Sequence, residues 1–362
     1  MYAEGNTTEL LQEQTEIAGT ELTEVGTEPD IKPGIPLLLL LFVFIMIAIN
    51  GLSLAAFAVE KRLRGYNNYF IINLALSDFI FGFFLVITCL HMYLGRLPFP
   101  FPVRCKVFYG VSNSIQFVSN LIIVTICVDR HRATYDPIGH FTRRRKRTAL
   151  YTNICVWIVS FVFWFSYSTV PDYFLQFRLG SECFHWYSVF PIAQLSTVLI
   201  RFIIPFTIML ILYVRIFIKI RGIAGGKHID KEFTQDTTVS DHSTAEGDVK
   251  ENKQRPQVKT ISGVQKAANR ESASEVRSAT KTLLFIVIAF FITWFPTSIL
   301  AIVITIDPTL GYPRLPIWAF WITIWLVYVN GLLNPICYVI SQPLFRKTVF
   351  GLFCRPIRYC RC

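Results

Sequence analysis

Apolar residues run along this chain in long blocks separated by charged clusters. Seven blocks stand out: Ile35 to Val59, Tyr69 to Tyr93, Lys106 to Cys127, Leu150 to Val170, Tyr187 to Ile220, Leu283 to Ile306 and Pro316 to Ile340. Each holds about 20 residues or more, which as helix crosses a hydrocarbon core of ~30 Å. The pattern predicts an all-α membrane protein, a bundle of seven transmembrane helices whose fifth member continues into the cytosol. A soluble all-helical core is the competing reading. It fails on composition, since the chain is 53% hydrophobic and only 16% charged, against about a quarter charged in soluble domains.

The stretches between the blocks differ in kind. Residues 222–274 bring Gly225-Gly226 and many Asp, Glu, Ser, Thr and Lys, and read as a long, largely disordered third cytoplasmic loop. Its flanks, Arg215 to Arg221 and Arg277 to Lys281, are expected to continue the neighbouring helices. After the last block, Pro343 to Phe353 alternates apolar and basic residues at helical spacing, as a short amphipathic eighth helix on the membrane surface would. The resulting organisation is a tail over 1–34, five spans over 35–221, the loop over 222–274, two spans over 275–340, and a surface helix with a short cytoplasmic end over 343–362.

Charge then orients the bundle, because short cytoplasmic loops retain Lys and Arg. Lys61, Arg62 and Arg64 follow the first block, and Arg132 with Arg143-Arg144-Arg145-Lys146-Arg147 follow the third, so both loops are placed inside. The first 31 residues carry eight acids and no Lys or Arg, which places them outside. The net charge of +11 is therefore a topology signal directed at membrane lipid, and nucleic acid is excluded as a partner. With no signal peptide ahead of the tail, the first span is expected to act as its own uncleaved signal. Asn6-Thr7-Thr8 is a glycosylation acceptor on the outer side.

Of nine cysteines, Cys105 falls at the outer mouth of the third span and Cys183 in the second outer loop, a disulfide pair in an oxidising compartment. Cys89, Cys127, Cys155 and Cys337 fall within spans and read as packing residues. Cys354, Cys360 and Cys362 stand beside Arg355, Arg358 and Arg361, a juxtamembrane setting that suits palmitoylation.

Ionisable residues inside spans are rare and usually functional. Asp78 lies in the middle of the second block with no Lys or Arg nearby in sequence. Ser119, Asn330 and Asn334 fall at a similar depth and supply oxygens, a set suited to a sodium ion. The alternative is a protonated Asp78 in an amide network. No other cofactor is expected.

Asp129-Arg130-His131 closes the third block, followed by Pro137-Ile138. Phe290 to Pro296 lies in the sixth, and Asn334-Pro335-Ile336-Cys337-Tyr338 in the seventh. With Asn50, Trp157, Pro205, Tyr213 and the Cys105/Cys183 pair, these residues resemble the rhodopsin-like (class A) family of G-protein-coupled receptors from Ile35 to Phe353, leaving out the long loop. The resemblance implies a receptor that is not an enzyme, sits in the plasma membrane, and activates a heterotrimeric G protein, with arrestin as a further partner. It implies that Arg130 pairs with Asp129 at rest and reaches toward Tyr213 and the G protein when the sixth helix moves out. Ile138 would insert into that partner. Pro205, Pro296 and Pro335 each delete a helical backbone bond, and the last two make kinks about which the inner ends swing.

Two departures bear on this expectation. Twenty residues before Pro296, where the family often has Glu, stands Val276, with Glu275 beside it; one residue is ~100° of helix. The lock from Arg130 to the sixth helix is then weakened and basal signalling is expected. Asn120 occupies a position where an aliphatic residue usually packs, and a buried amide there needs hydrogen bonds of its own.

Trp294, Trp325 and Tyr328 lean toward the biogenic-amine branch, histamine- and muscarinic-like. Gly180 to Cys183 and Arg201 to Pro205 look similar to stretches of histamine receptors. The amine-binding Asp, however, is missing: eighteen residues before Arg130 is Ser112. Arg201 reverses the local sign, and with Ser112, Asn113, Gln116 and Thr197 it forms a polar, cationic rim. Either this rim receives an anionic or zwitterionic small molecule, or Arg201 snorkels or pairs with Glu182 or Asp172. A peptide ligand and a constitutively active receptor stay open. Retinal is excluded, because Tyr328 replaces the Lys that opsins need. A transporter or channel would need a polar path through the membrane, and an intramembrane enzyme a catalytic pair; the blocks show neither.

Overall fold

The computed structural model describes residues 34–94, 103–143, 145–174, 190–236, 257–307, 310 and 316–354. Among them, seven helices are long and apolar enough to cross a membrane: Gly34–Val59, Asn68–His91, Val107–Tyr135, Lys146–Val170, Pro191–Gly222, Thr280–Ile306 and Trp321–Ser341. They are called here the first to seventh spans. Every backbone polar group in hydrocarbon must be bonded within the protein, which is why each block closes on itself as helix. Leu38, Val162, Ile192 and Ile322 stay exposed because their solvent is lipid.

Several helices outrun the blocks read from the sequence. The third runs Val103–Tyr135, so Asp129-Arg130-His131 lies within the helix rather than beyond its end. The fifth continues to Asp236 and the sixth begins at Gln257. The stretch 222–274, read as largely disordered, thus carries helical backbone at both ends, while 237–256 lie outside the described residues. Extending a formed helix adds a bond for each residue fixed and needs no new nucleus, so Gly225-Gly226 does not stop it.

The third span is the axis, with Val118, Ile122, Ile123 and Cys127 fully buried. Side-chain bonds tie the others around it. Trp157 Nε1 donates to Asn73 Oδ1 at 2.9 Å, Asn153 Nδ2 to the Tyr69 carbonyl at 3.2 Å, and Asn50 Nδ2 to the Gly331 carbonyl at 3.0 Å. After the seventh span the helix Pro343–Cys354 turns away and inserts Phe345 between Phe57 and Tyr338, leaving Phe350 and Phe353 exposed. This is the expected short eighth helix.

Two helices contain π-helical turns, Phe161–Phe165 in the fourth span and Leu199–Ile203 in the fifth. Each rotates the outer half of its helix relative to the inner half. The first two spans approach closely at Gly82, where a Cβ would stand 2.4 Å from Ile47 Cγ1. Nothing lies within 4 Å of a Cβ built on Gly65. Gly82→Ala should therefore lower stability by about 1–3 kcal/mol, the usual range for overpacking, while Gly65→Ala stays within about 0.5 kcal/mol. Thermal unfolding of the purified protein in detergent measures both.

Candidate functional site

The predicted residues gather at three depths. At the inner end, Asp129 and Arg130 are both buried, and Arg130 Nη2 bonds Asp129 Oδ2 and donates to Asn67 Oδ1 at 2.5 Å. The other carboxylate oxygen, Asp129 Oδ1, lies 3.0 Å from His140 Nε2. His140 belongs to a short loop helix, Pro137–Arg143. Asp136 caps that helix, its Oδ1 accepting from Gly139 N at 2.9 Å, and Pro137 opens it with a preset φ. Ile138 projects from the same turn, 79% exposed.

His131 stacks on Tyr135, whose hydroxyl donates to the Arg215 carbonyl at 3.0 Å. Tyr213 stacks on Phe217 and is not among the groups that hold Arg130. A cavity of about 310 Å³ opens beside Arg130, lined also by Asn67, Thr282, Leu283, Ile286 and Gln342. The side chain of Glu275, on which the expected loss of a lock turned, lies outside the described residues.

At mid-depth, Asp78 Oδ1 accepts from Ser119 Oγ at 2.7 Å and Oδ2 from Asn334 Nδ2 at 2.8 Å. Ser77 Oγ stands 2.9 Å from Ser119 Oγ. Asn330 precedes Asn334 by four residues and shares its helix face. The side-chain oxygens of Asn330, Asn334 and Asn50 are buried without a hydrogen-bond partner. Of these, Asn334 is bonded to Asp78, so its orphan oxygen lies beside the carboxylate, and an oxygen-rich set of this kind has the chemistry that a hard cation takes. Tyr338, predicted as part of the switch, is buried one turn after Asn334, with its hydroxyl also unpartnered.

In the outer half, Arg201 projects from the π-helical turn of the fifth span. Its Nη1 donates to Gln116 Oε1 at 3.1 Å and its Nη2 to Asn113 Oδ1 at 2.8 Å. The guanidinium carbon lies 4.0 Å from the ring centre of Trp164, a fully buried residue from the facing π-helical turn of the fourth span. Arg201 and Trp164 thus meet where each helix takes an extra residue into a wider π-helical turn. Thr197 is reached by Tyr167 Oη at 3.3 Å, and Ser112 is half-buried one turn above Gln116.

The backbone of Arg201 is used as well. Four residues on, Pro205 has no N–H to return to the Arg201 carbonyl, and Asn120 Nδ2 donates to that oxygen at 3.3 Å. This answers the question raised by an amide at position 120.

The remaining predicted ligand residues are aromatic. Trp325 and Tyr328 pack edge to face at 5.1 Å among Val43, Met46, Phe81 and Leu85, on the side of the first and second spans. Trp294 stacks on Phe290 in the central core. Ile115 of the third span, which lies between Asn113 and Gln116 in sequence, belongs to the same apolar cluster as Trp325 and Tyr328. The side chain of Cys105, and Cys183, Asn6, Cys360 and Cys362, fall outside the described residues; Cys354 is exposed at the end of the helix Pro343–Cys354.

Sequence reading missed Trp164, Asn67 and His140. The run Asp136-Pro137-Ile138-Gly139-His140 did carry a signal, since an Asp-Pro cap sets a helical turn that brings His140 back over the third span. Trp164 depended on a π-helical turn that no local pattern announces.

Residues 49–338 match the family described as 7 transmembrane receptor (rhodopsin family). The alpha-1A adrenergic receptor of Mus musculus is 26% identical over 347 residues, covering 91% of this chain and 70% of that protein. The muscarinic acetylcholine receptor M3 of Gallus gallus is 32% identical over 179 residues, 46% of this chain and 27% of that protein. The somatostatin receptor type 2 of Mus musculus is 23% identical over 349 residues, 91% of this chain and 80% of that protein.

Replacing Asn120 by Leu should leave the Arg201 carbonyl without its donor and cost about 1–3 kcal/mol. Thermal unfolding should show Asn120→Leu melting well below the wild type and Asn120→Gln falling between.

Proposed function

Since the chain belongs to the rhodopsin family of seven-transmembrane receptors, we propose that it is a multi-pass plasma-membrane receptor that converts binding of an extracellular ligand into activation of a heterotrimeric G protein. The observation that carries this reading is the inner end. Arg130 is buried, tied to Asp129 and Asn67, and borders a cavity between the second, third and sixth spans and the turn after the seventh. When the sixth helix swings about Pro296, that cavity widens, and Arg130 must exchange Asp129 for the partner. A ligand drives the change only by binding the two arrangements unequally. The basic flanks favour an extracellular N-terminus and a cytoplasmic C-terminus. Arrestin would use the same inner opening, and Cys354 offers a site for a lipid anchor.

The ligand is read as a small molecule bearing a carboxylate or other anionic group. Ser112 removes the acid that would hold a cation. Asn113 and Gln116 are neutral amides able to turn aside while Arg201, backed by Trp164, receives an anion in a bidentate grip. Asp78, Ser119, Asn330 and Asn334 would hold sodium, which supplies a positive charge that stiffens the resting bundle where the spans converge.

Receptor in lipid nanodiscs should accelerate nucleotide exchange on at least one of a panel of purified G proteins, and Arg130→Ala should reduce that rate at least about tenfold, some 1.4 kcal/mol. Exchange on none of the panel would overturn the reading. Among amine, amino-acid and peptide libraries, acidic compounds should act. Arg201→Ala should weaken them roughly 10- to 150-fold, the equivalent of ~1.5–3 kcal/mol for a charge-assisted bond. Replacing potassium by sodium should raise the melting temperature of the wild type and leave Asp78→Asn unmoved; an equal shift in both would remove the cation site.

A further inference from the structure

The reading of the switch deepens at His140, which no part of the predicted machinery included. Asp129 faces three partners rather than one. Arg130 bonds Oδ2, His140 Nε2 stands 3.0 Å from Oδ1, and the Tyr66 hydroxyl also bonds the carboxylate. His140 and Asp129 side chains are 12% and 7% exposed, so water screens the pair little. The imidazole is held in place from two further sides. Tyr66 packs edge to face against it at 5.8 Å. His140 N donates to the Asp136 carbonyl at 2.9 Å, and a side chain at Gly139 would bring a Cβ to 2.1 Å from Asp136 Oδ2. In this seating of the loop helix His140 aims at Asp129 while Ile138, two residues earlier, is exposed.

We propose that His140 is a positioning residue of the switch, competing with Arg130 for the Asp129 carboxylate, so that protonation of its imidazole loosens Arg130 and raises coupling to the G protein. With His140 neutral, one carboxylate faces one guanidinium. With His140 protonated, two cations share one anion in a buried space, and the cluster gains a net positive charge that repels Arg130 outward, toward the cavity. Imidazole is the side chain whose ordinary titration falls in the range a cell visits. The groups facing it are Asp129 and Arg130 from the third span and Tyr66 from the turn before the second; Asp136 and Arg143 flank it on its own segment, and Arg132 bears on Tyr66. Burial and the Asp129 charge push the Tyr66 phenol up to about 12, so it keeps its proton and does not titrate alongside.

The inference rests on the G-protein reading, and its test separates the two. Receptor-catalysed nucleotide exchange is followed in nanodiscs from about pH 7.8 to about pH 6.0, with receptor-free exchange subtracted at each pH. The wild-type rate should rise several-fold on acidification. His140→Gln keeps a donor near Asp129 without a titrating ring, and His140→Tyr keeps a ring and a hydroxyl; both should give flat profiles. A flat wild-type profile, or a rise of equal size in His140→Gln, overturns the role of His140 while leaving coupling intact. No exchange at any pH overturns coupling, and this proposal with it.

Discussion

Inside hydrocarbon a backbone carbonyl that loses its helical donor has no water to turn to, and much of this bundle is arranged around that constraint. Pro205 withdraws the donor owed to the Arg201 carbonyl, and Asn120 reaches from the third span to replace it. The π-helical turn that precedes Pro205 carries the Arg201 side chain round to Asn113, Gln116 and Trp164. One proline thus fixes the contact between the third and fifth spans twice, through the main chain on one side and the guanidinium on the other. The same logic operates at Gly331, whose carbonyl accepts from Asn50 four residues before Pro335 would otherwise leave it bare.

Charges obey a stricter version of the rule. Asp78 is answered by Ser119 and Asn334; Asp129 is answered by Arg130, His140 and Tyr66. Breaking a buried pair leaves an uncompensated charge, at a cost that can reach about 3–5 kcal/mol. A signalling state that pulls Arg130 away is therefore accessible only if other donors remain on Asp129. His140 and Tyr66 are such donors, and both lie outside the third span.

The sequence was most informative where periodicity and composition act alone. Seven apolar blocks yield seven spans, and Pro343 to Phe353 yields the short eighth helix, because burial in lipid depends on little besides length and apolarity. Asp78 with Ser119 and Asn334 could be read from depth, since position within a span fixes height in the membrane. What could not be read was azimuth. Rotation of each helix is set by packing and by π-helical turns at Phe161–Phe165 and Leu199–Ile203, which leave no local signature, so the contact of Arg201 with Trp164 was hidden. Helix ends were also hidden, because propagation past the lipid continues through residues whose composition suggests loop.

The double use of Arg201 has a genetic consequence. Any substitution at position 201 removes the guanidinium but keeps the carbonyl, so Asn120 retains its acceptor and the join between the third and fifth spans survives. Substitution at position 120 does the reverse. The main-chain tie and the side-chain tie between the third and fifth spans are thereby encoded at separate positions although they meet on one residue, so either can change in evolution while the other holds the helices together.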